Sequence, residues 1–257
     1  MIPKIIHYCW FGKNEKPKII KKCIRSWKKY CPDYRIIEWN EENFDINSNI
    51  WCQTAYEAKK WAFVSDYVRL KVLYDYGGIY MDTDVLLKQS LNKFLKYNCF
   101  MGFQHESYVN NGLVTGALKR NSFIKDNLSI YENSSFIDEN GKYKMTVCQE
   151  YTTKLLKDRG LVIPCDGQIQ ILDDIYIFPP EYFCPYDHRD FSMKKTKNTV
   201  AIHLFASSWW SKEDKKNFRR RKAIYKIDYL IHFPNRIGRR AFGDEKYEKL
   251  KRIVKRQ

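Results

Sequence analysis

The stretch SDYVRLKVLYDYGGIYMDTDVL, residues 65–86, carries the strongest pattern in this 257-residue sequence. Apolar and aromatic side chains recur at helical spacing until a pair of glycines, which suits a helix end and a turn with positive φ. A short apolar run then leads directly into Asp82 and Asp84. The pattern predicts a helix over residues 56–76, followed by a buried strand with two carboxylates at its end.

The two aspartates have a spacing that suits a divalent cation. In an extended strand, residues i and i+2 point to the same side, so Asp82 and Asp84 would face one ion. Mg²⁺ takes one or two carboxylates and leaves its other positions to water and substrate phosphates. On the preceding helix, Asp66 and Arg69 are three residues apart and therefore share a face. They form either a salt bridge on a solvated face or a pair that binds a polyhydroxylated substrate.

The rest of the sequence alternates strand-like and helix-like segments. Strands are predicted over residues 4–10, 34–39, 99–103, 161–164, 175–179 and 199–205, and helices over residues 18–30 and 123–132. Residues 133–143 have the composition of a surface loop. This alternation predicts an α/β sheet protein.

Positive charge is concentrated at the end of the chain. The net charge is +16, and the segment Lys212–Gln257 holds 17 Lys and Arg against six Asp and Glu. We therefore predict one domain over residues 1–211 and a basic helical tail over residues 212–257. Such a tail suits an anionic partner, namely a phospholipid surface, a nucleic acid or an anionic polymer, although a solvated helical face is the alternative.

Cysteine usage and the absence of long apolar segments bear on location. The eight cysteines show no CxxC pair and no zinc spacing, and most have apolar or aromatic neighbours, so we predict buried thiols in a reducing compartment. No signal peptide is visible, and no segment approaches the roughly 20 apolar residues that span a bilayer. We expect a cytoplasmic protein, soluble or peripheral on the inner face of the cell membrane.

A long motif in residues 65–86 resembles a known family. The segment S-D-x-x-R-x-x-x-L-Y-x-Y-G-G-I-Y-x-D-x-D is similar to the sugar-binding DXD signature of family 32 glycosyltransferases. That family includes yeast-type initiating mannosyltransferases, bacterial capsule and lipopolysaccharide transferases, and clostridial glucosylating toxins. The segment IPKIIHYCWFG, residues 2–12, resembles the family's opening strand, and AIHLFASSWW, residues 201–210, resembles its closing strand and active-site tail. The resemblance implies a single GT-A domain, a Rossmann-like α/β fold that binds a nucleotide-diphospho-sugar.

The resemblance implies a donor-sugar site on the helix and strand of the motif. Asp66 and Arg69 would hydrogen-bond the sugar, and Tyr80 would pack beside it. Asn111 would bind the sugar near the reaction centre, but Asn110 is an equally good alignment. These residues would hold the sugar of a nucleotide-sugar donor.

The resemblance also implies a metal site for Mn²⁺ or Mg²⁺. Asp82 would contact the ribose or sugar and reach the metal through water, while Asp84 would bind the metal directly. His203 would be a further ligand, although a histidine in an apolar strand is more often a core residue.

Two segments at the ends of the domain would contact the nucleotide. Trp10, directly after the first strand, would stack on the base, although a lone indole there is otherwise simply part of the core. Ser208 and Trp210 would contact the β-phosphate on a loop that orders around the donor, with Trp209 as an alternative to Trp210. A UDP-sugar is favoured because an indole suits a pyrimidine, but a purine stacks as well.

The expected activity is that of a metal-dependent retaining hexosyltransferase. Its acceptor would be a glycan or a lipid-linked oligosaccharide in bacterial capsule or lipopolysaccharide synthesis, with the basic tail on an anionic membrane. One alternative is an effector-like transferase that glycosylates a protein. A second is a basic nucleic-acid-binding protein with structural aspartates. The position of the excess charge, outside the aspartate region, and the lack of a helix-turn-helix signature disfavour the second alternative.

Overall fold

A computed structural model describes residues 1–187 and 191–206, together with residues 213, 216, 217, 220 and 223. Residue contacts divide the chain into two units. Every strand and helix described below belongs to the first unit, Met1–His188 with Ser192–Trp209.

Part of the predicted site lies outside the described residues. This applies to Ser208, to Trp210 and its alternative Trp209, and to the predicted tail over residues 212–257 apart from five residues. The predicted contacts of these side chains and the predicted domain boundary therefore stay predictions.

Strands and helices alternate along the described chain. In chain order they are β1 (Ile5–Cys9), α1 (Lys18–Tyr30), β2 (Arg35–Trp39), α2 (Ile50–Glu57), α3 (Trp61–Tyr76), β3 (Gly78–Tyr80), β4 (Val85–Leu87), β5 (Cys99–His105), β6 (Tyr108–Asn110), β7 (Thr115–Ala117), α4 (Ser122–Glu132), α5 (Cys148–Lys157), β8 (Gln170–Leu172), β9 (Ile175–Phe178), α6 (Pro180–Phe183) and β10 (Ala201–His203). The predicted α/β class is confirmed.

A mixed sheet forms the centre of the fold. Its strand order is β2-β1-β3-β7-β5-β9-β8, with β6 paired to β5, and β4 pairs with β10 in a separate two-stranded sheet. Strand β1 lies parallel to both β2 and β3, whereas β7 is antiparallel to β3 and β5. The carboxyl ends of β1 and β3 therefore meet at one edge of the sheet, which is where open α/β sheets bind their ligands.

Side-chain alternation along the strands gives the sheet two apolar faces. On one face α1 buries Ile20, Cys23 and Trp27. On the other face α3 packs against the sheet and against α2 and α4. The cysteines follow the prediction: seven of the eight are buried, all eight are free, and only Cys165 is partly exposed.

Helix α3 differs from its predicted extent at the amino end only. The predicted helix over residues 56–76 is interrupted because Lys59 adopts a φ of +56°, and the chain restarts as a helix at Trp61. The separate helix α2 before this break was not predicted. At the carboxyl end the prediction is confirmed, since Gly77 has a φ of 65° and donates its N–H to Leu73 O over 2.9 Å. Those glycines turn the chain directly into β3.

The strand predicted over residues 161–164 is wrong. The N–H of Val162 donates to the side-chain Oε1 of Gln170 over 2.9 Å, and the carbonyl of Val162 accepts from Gln170 Nε2 over 2.9 Å. A single side chain therefore satisfies the backbone groups that a sheet neighbour would have bound. The strand in this region is β8 instead.

His7 is a buried histidine in β1 whose hydrogen bonds require the neutral ring. Its Nε2 donates to Gly77 O over 2.8 Å, which leaves Nδ1 to accept from Trp39 Nε1 over 3.1 Å. Burial lowers the pKa of His7 to about 4, and the Gly77 carbonyl opposes this only in part. A second proton would be bound at Nδ1, where it would repel the indole N–H of Trp39 and remove that hydrogen bond.

This histidine predicts an acid sensitivity of the fold. Between pH 6.5 and pH 4 the unfolded chain binds a proton at His7 that the native state does not, so the free energy of unfolding falls as the pH falls. The loss should total about 3 kcal/mol and be complete below the folded pKa. Urea unfolding across this range should show a flatter pH dependence for His7→Gln, which cannot titrate. Equal slopes for the two proteins would contradict the prediction.

Candidate functional site

The two aspartates of the motif lie in a turn and not in a strand. Strand β3 ends at Tyr80, and the N–H of Val85 donates to Asp82 O over 3.0 Å, which closes a turn before β4. The strand conformation expected for the two aspartates is therefore wrong, while a shared metal ion between their carboxylates stays a prediction. Each aspartate has its own set of partners.

Asp82 belongs to a buried cluster centred on Arg69. The Nη2 of Arg69 lies 3.1 Å from Asp66 Oδ1 and 3.2 Å from Asp82 Oδ1. The hydroxyl of Tyr80 donates to the same Asp82 oxygen over 3.1 Å, and the Tyr80 ring lies under the guanidinium. Arg69 and Asp66 are only 4% and 6% exposed. The salt bridge on helix α3 thus exists, but it is buried and not on a solvated face.

Burial and charge oppose each other in this cluster. Burial raises the pKa of Asp66 to about 6 and also raises the pKa of Asp82, while the Arg69 charge pulls both down. Burial would lower the pKa of Arg69, but Asp82, Tyr80 and Asp66 raise it. The cluster therefore keeps a permanent cation, and the charge on both carboxylates depends on it.

Residues of helix α5 also contact the cluster, and this helix was not predicted from the sequence. Arg69 Nη1 donates to Asn111 Oδ1 over 3.0 Å and to Cys148 Sγ over 3.2 Å. The Nδ2 of Asn111 in turn donates to Thr152 Oγ1 over 2.9 Å. The signal for α5 was the recurrence of apolar or small side chains over residues 148–156 at helical spacing.

Of the two asparagines that the alignment left open, the structure brings only Asn111 to Arg69. The side chain of Asn110 instead accepts from the N–H of Gly112 over 2.7 Å and shapes the turn after β6. Gly112 also contacts the cluster, because its carbonyl accepts a hydrogen bond from the N–H of Asp82 over 2.8 Å. Which asparagine contacts a sugar stays a prediction.

Asp84 forms a second buried pair, with His203 of β10. His203 Nε2 lies 3.0 Å from Asp84 Oδ1, and the N–H of Ala206 donates to Asp84 Oδ2 over 2.8 Å. Burial alone would raise the pKa of Asp84, but the His203 charge and hydrogen bonds lower it. Burial would likewise lower the pKa of His203, but Asp84 raises it well above 6.5. The two side chains therefore form an ion pair that ties β10 to the aspartate turn.

Trp10 lies one residue beyond β1, at the same sheet edge as the aspartate turn. Its Nε1 donates to Asn14 O over 2.7 Å, and Lys16 Nζ lies 5.5 Å from the ring centroid. The ring is partly exposed. Burial raises the pKa of the adjacent Cys9 to about 12, while the Arg69 charge opposes the rise, so the end of β1 interacts electrostatically with the Arg69 cluster. The position suits a stacking surface beside the Arg69 cluster.

The donor set fits a hard divalent cation in part. Among the described residues, no group of three or more His, Cys, Asp or Glu side chains is arranged to hold a metal ion. Asp82 and Asp84 supply two carboxylates, which is as many as Mg²⁺ usually takes when phosphate and water fill its other positions. His203 is engaged as a cation and would have to lose its proton to become a ligand. Its role as a metal ligand stays a prediction.

The predicted residues thus fall into three neighbouring groups and one group outside the described chain. The first is the Arg69 cluster, the second is the Asp84–His203 pair, and the third is Trp10. The members of the Arg69 cluster are Asp66, Arg69, Tyr80, Asp82 and Asn111. The fourth group comprises Ser208 and Trp210.

Comparison with known proteins identifies the region that carries these groups. Residues 17–101 match the family model described as a glycosyltransferase sugar-binding region containing a DXD motif. This confirms the resemblance for that region, which includes α3 and the aspartate turn.

Among described residues, no helix is long and apolar enough to cross a bilayer.

Several individual proteins are similar to the chain. Inositol phosphoceramide mannosyltransferase 3 of Schizosaccharomyces pombe is 33% identical over 127 residues, which are 48% of this chain and 35% of that protein. An uncharacterised glycosyltransferase of Acanthamoeba polyphaga mimivirus is 24% identical over 222 residues, 79% of this chain and 86% of that protein. The solved structure titled PaToxG Glycosyltransferase has a TM-score of 0.47 at 20% identity, covering 61% of this chain and 68% of that one. The chain spans about a third of the length of the fission-yeast relative.

Proposed function

We propose that this chain, whose residues 17–101 match the model of glycosyltransferase sugar-binding regions containing a DXD motif, is a metal-dependent glycosyltransferase. In the proposed reaction a sugar moves from a nucleotide-diphospho-sugar to an acceptor hydroxyl. The observation that carries the proposal is the Arg69 cluster, which joins the first DXD aspartate to Asp66 and Asn111 in a buried network.

The cluster offers the groups that a donor sugar needs. Sugar hydroxyls bind through hydrogen bonds to charged and amide side chains, and charge-assisted bonds are the stronger ones. The Nε of Arg69 is buried and has no hydrogen-bond partner among the described residues, so one donor of the cluster is unsatisfied. The side chain of Asp82 is 28% exposed and is the most open carboxylate of the cluster. These features support a sugar bound against Arg69 and Asp82.

The charge that develops on the leaving nucleoside diphosphate calls for a cation. Mn²⁺ or Mg²⁺ bound by Asp82 and Asp84 would supply that positive charge. Asp84 would bind the metal in one of two ways. Its side chain would rotate away from His203 toward the metal, or Asp84 and His203 would both bind the metal. Trp10 would stack on the base, and Ser208 and Trp210 would close over the β-phosphate and exclude water.

The donor and the acceptor are finer proposals. We favour a UDP-sugar, and a GDP-sugar is the competing donor. The acceptor is a glycan or lipid-linked oligosaccharide of the kind used in bacterial capsule or lipopolysaccharide synthesis. The name of the fission-yeast relative, which describes mannosyl transfer to inositol phosphoceramide, supports a lipid-linked acceptor. A thermal-shift panel of UDP- and GDP-sugars with Mn²⁺, followed by turnover assays on the sugars that bind, would identify the donor.

We propose that the product retains the anomeric configuration of the donor. Attack by the acceptor hydroxyl on the same face as the departing diphosphate would achieve this without a protein nucleophile. NMR of the anomeric proton in the first product formed should show retention. An inverted product would contradict this proposal and leave the transferase activity itself intact.

Other activities have separate tests. A transferase that modifies a protein would label protein mixtures and leave small glycans and lipid-linked sugars unmodified. A nucleic-acid-binding protein with structural aspartates would bind DNA in a salt-sensitive manner and consume no nucleotide sugar. The basic tail over residues 212–257 suits peripheral membrane binding, and vesicle flotation with and without that tail should differ.

Gly112 provides a test of how tightly Asp82 must be held. A Cβ at this position would lie 2.2 Å from Asp82 Oδ2 and 3.0 Å from Arg69 Nη1, so Gly112→Ala must displace the carboxylate. We expect a loss of donor turnover of about a hundredfold, because a displacement near 1 Å in a catalytic site has that effect. In the control Gly141→Ala nothing lies within 4 Å of the new Cβ, although its φ of +75° carries a backbone cost. Full turnover in Gly112→Ala would contradict the proposed role of Asp82.

A further inference from the structure

Helix α1 carries a continuous stripe of positive charge. Its exposed basic side chains are Lys18, Lys21, Lys22, Arg25, Lys28 and Lys29. At 3.6 residues per turn all six fall within an arc of about 120° that runs the whole length of the helix. The sequence of α1 contains no Asp or Glu. The opposite side of the helix is the buried face of Ile20, Cys23 and Trp27.

This arrangement is unfavourable for the helix by itself. Like charges three and four residues apart repel each other, and the stripe contains several such pairs. Lys18 and Lys21 in the first turn also oppose the helix dipole, although Lys28 and Lys29 in the last turn complement it. Lys21 pairs with Glu15, but that carboxylate is 86% exposed, so the bond contributes little. The apolar face explains how α1 folds onto the sheet, and it does not explain the stripe.

The shape and composition of the stripe favour an extended planar array of anions. The helix is 13 residues long, so the stripe extends over about 20 Å on a convex surface. Five of its six side chains are lysines, which act as flexible point charges, whereas planar bidentate recognition of single phosphates favours arginine. Ile19, which is 37% exposed beside the first turn, adds an apolar side chain that can enter a lipid interface.

We propose that the basic stripe of α1 docks the protein on an anionic lipid bilayer. The mode is peripheral: lysine side chains reach the headgroup phosphates and carboxylates while the body of the domain stays in water. The six residues of this stripe all precede the basic tail predicted over residues 212–257 in the sequence, and the proposal does not involve that tail. The docking does not depend on the proposed enzymatic function.

The position of α1 gives docking a consequence for the candidate site. The helix follows β1, so its first turn lies at the sheet edge that carries Trp10 and the aspartate turn. Docking through α1 would therefore hold that edge close to the bilayer surface. A lipid-linked acceptor would then meet the donor site by diffusion in two dimensions. This last step rests on the proposed function.

The test is vesicle binding by the full-length chain. All six residues of the stripe are changed to glutamine, which keeps a similar helix propensity and removes the charge. The matched control changes six exposed lysines elsewhere to glutamine: Lys88, Lys119, Lys142, Lys154, Lys157 and Lys195. Both variants lose the same formal charge and retain the tail. Co-sedimentation uses phosphatidylcholine vesicles with about one third phosphatidylserine, at an ionic strength of about 0.15 M.

The stripe variant should bind these vesicles at least about tenfold more weakly than the unmodified chain, since each basic residue near an anionic leaflet contributes roughly fivefold to partitioning. The control should stay within about threefold of the unmodified chain, because its lysines are dispersed over the surface. Equal losses in the two variants would overturn the proposal, as would failure of the unmodified chain to bind. Loss of RNA binding by the stripe variant with unchanged vesicle binding would also overturn it.

Turnover separates this proposal from the proposed function. Hydrolysis of a nucleotide sugar in the absence of vesicles should be the same in the stripe variant and in the unmodified chain. A chain that binds vesicles through α1 but turns over no nucleotide sugar would support the docking surface and contradict the enzymatic proposal. A cooperative unfolding transition within a few degrees of the unmodified chain verifies that the variant is folded.

Discussion

Changing Arg69 to methionine should abolish measurable donor turnover and lower the free energy of unfolding by about 3–5 kcal/mol. The guanidinium is 4% exposed and lies within 3.2 Å of two carboxylates, Asp66 and Asp82. Removing it leaves these carboxylates buried without their counter-charge. The hydrogen bond to Asn111 is lost in the same step. Turnover should fall at least about a thousandfold, because the variant loses both a preorganised cation and the position of Asp82.

The same helix supplies the matched control. Lys71 and Asp75 form an i,i+4 ion pair on α3 that is about one third exposed, with Nζ 2.7 Å from Oδ2. Lys71→Met should change the unfolding free energy by no more than about 0.5 kcal/mol and leave turnover unchanged. Arg69→Lys should fall between the two, since it keeps a cation but loses the planar guanidinium, whose Nη2 contacts both carboxylates while its Nη1 donates to Asn111. Similar results for Arg69→Met and Lys71→Met in urea unfolding would contradict the buried cluster as described.

Asp84→Asn should lower turnover by about 10²–10³-fold at saturating Mn²⁺, because the amide preserves the shape of the side chain but not its charge. Asp84 pairs with His203 in the described structure. In the proposed enzyme it also binds the metal. The loss of activity should therefore be accompanied by loss of the Mn²⁺-dependent increase in melting temperature. An unchanged Mn²⁺ response in Asp84→Asn would contradict its assignment as a ligand.

A second variant separates the roles of His203. If His203 is only the counter-charge of Asp84, His203→Gln should keep Mn²⁺ affinity within about threefold, since the carboxylate ligand remains. If it binds the metal, affinity should fall about 10–100-fold or more, the loss found when groups that support a metal site are changed. Titration of each variant with Mn²⁺, followed by the melting temperature, distinguishes these outcomes. Either result leaves the Asp84 prediction testable on its own.

Local patterns were sufficient to predict much of the fold. The extent of α1 followed from its amphipathic spacing, and the end of α3 followed from the glycine pair that closes it. Strands β1 and β2 were predicted because short apolar runs between turn residues are typical of strands in a sheet protein. The break before Trp61 was missed because Lys59 adopts a positive φ that its sequence does not signal.

The meeting of the motif residues was predictable from the sequence, but the geometry in which they meet was not. The motif residues Asp66, Arg69 and Asp82 do meet, as their family resemblance implied. Strand periodicity does not describe the two aspartates, because the chain leaves β3 before it reaches them. The contribution of Cys148 and Thr152 depends on tertiary packing of α5, which no spacing within the motif could reveal.

Titration of UDP and GDP into the protein, with and without Mn²⁺, tests whether the site binds a nucleoside diphosphate through a metal ion. We expect one of the two nucleoside diphosphates to bind in the presence of Mn²⁺, chelation of the metal to weaken this binding at least about a hundredfold, and Asp84→Asn to abolish the metal dependence. Binding of neither nucleotide, or equal binding with and without metal in the unmodified chain, would contradict it.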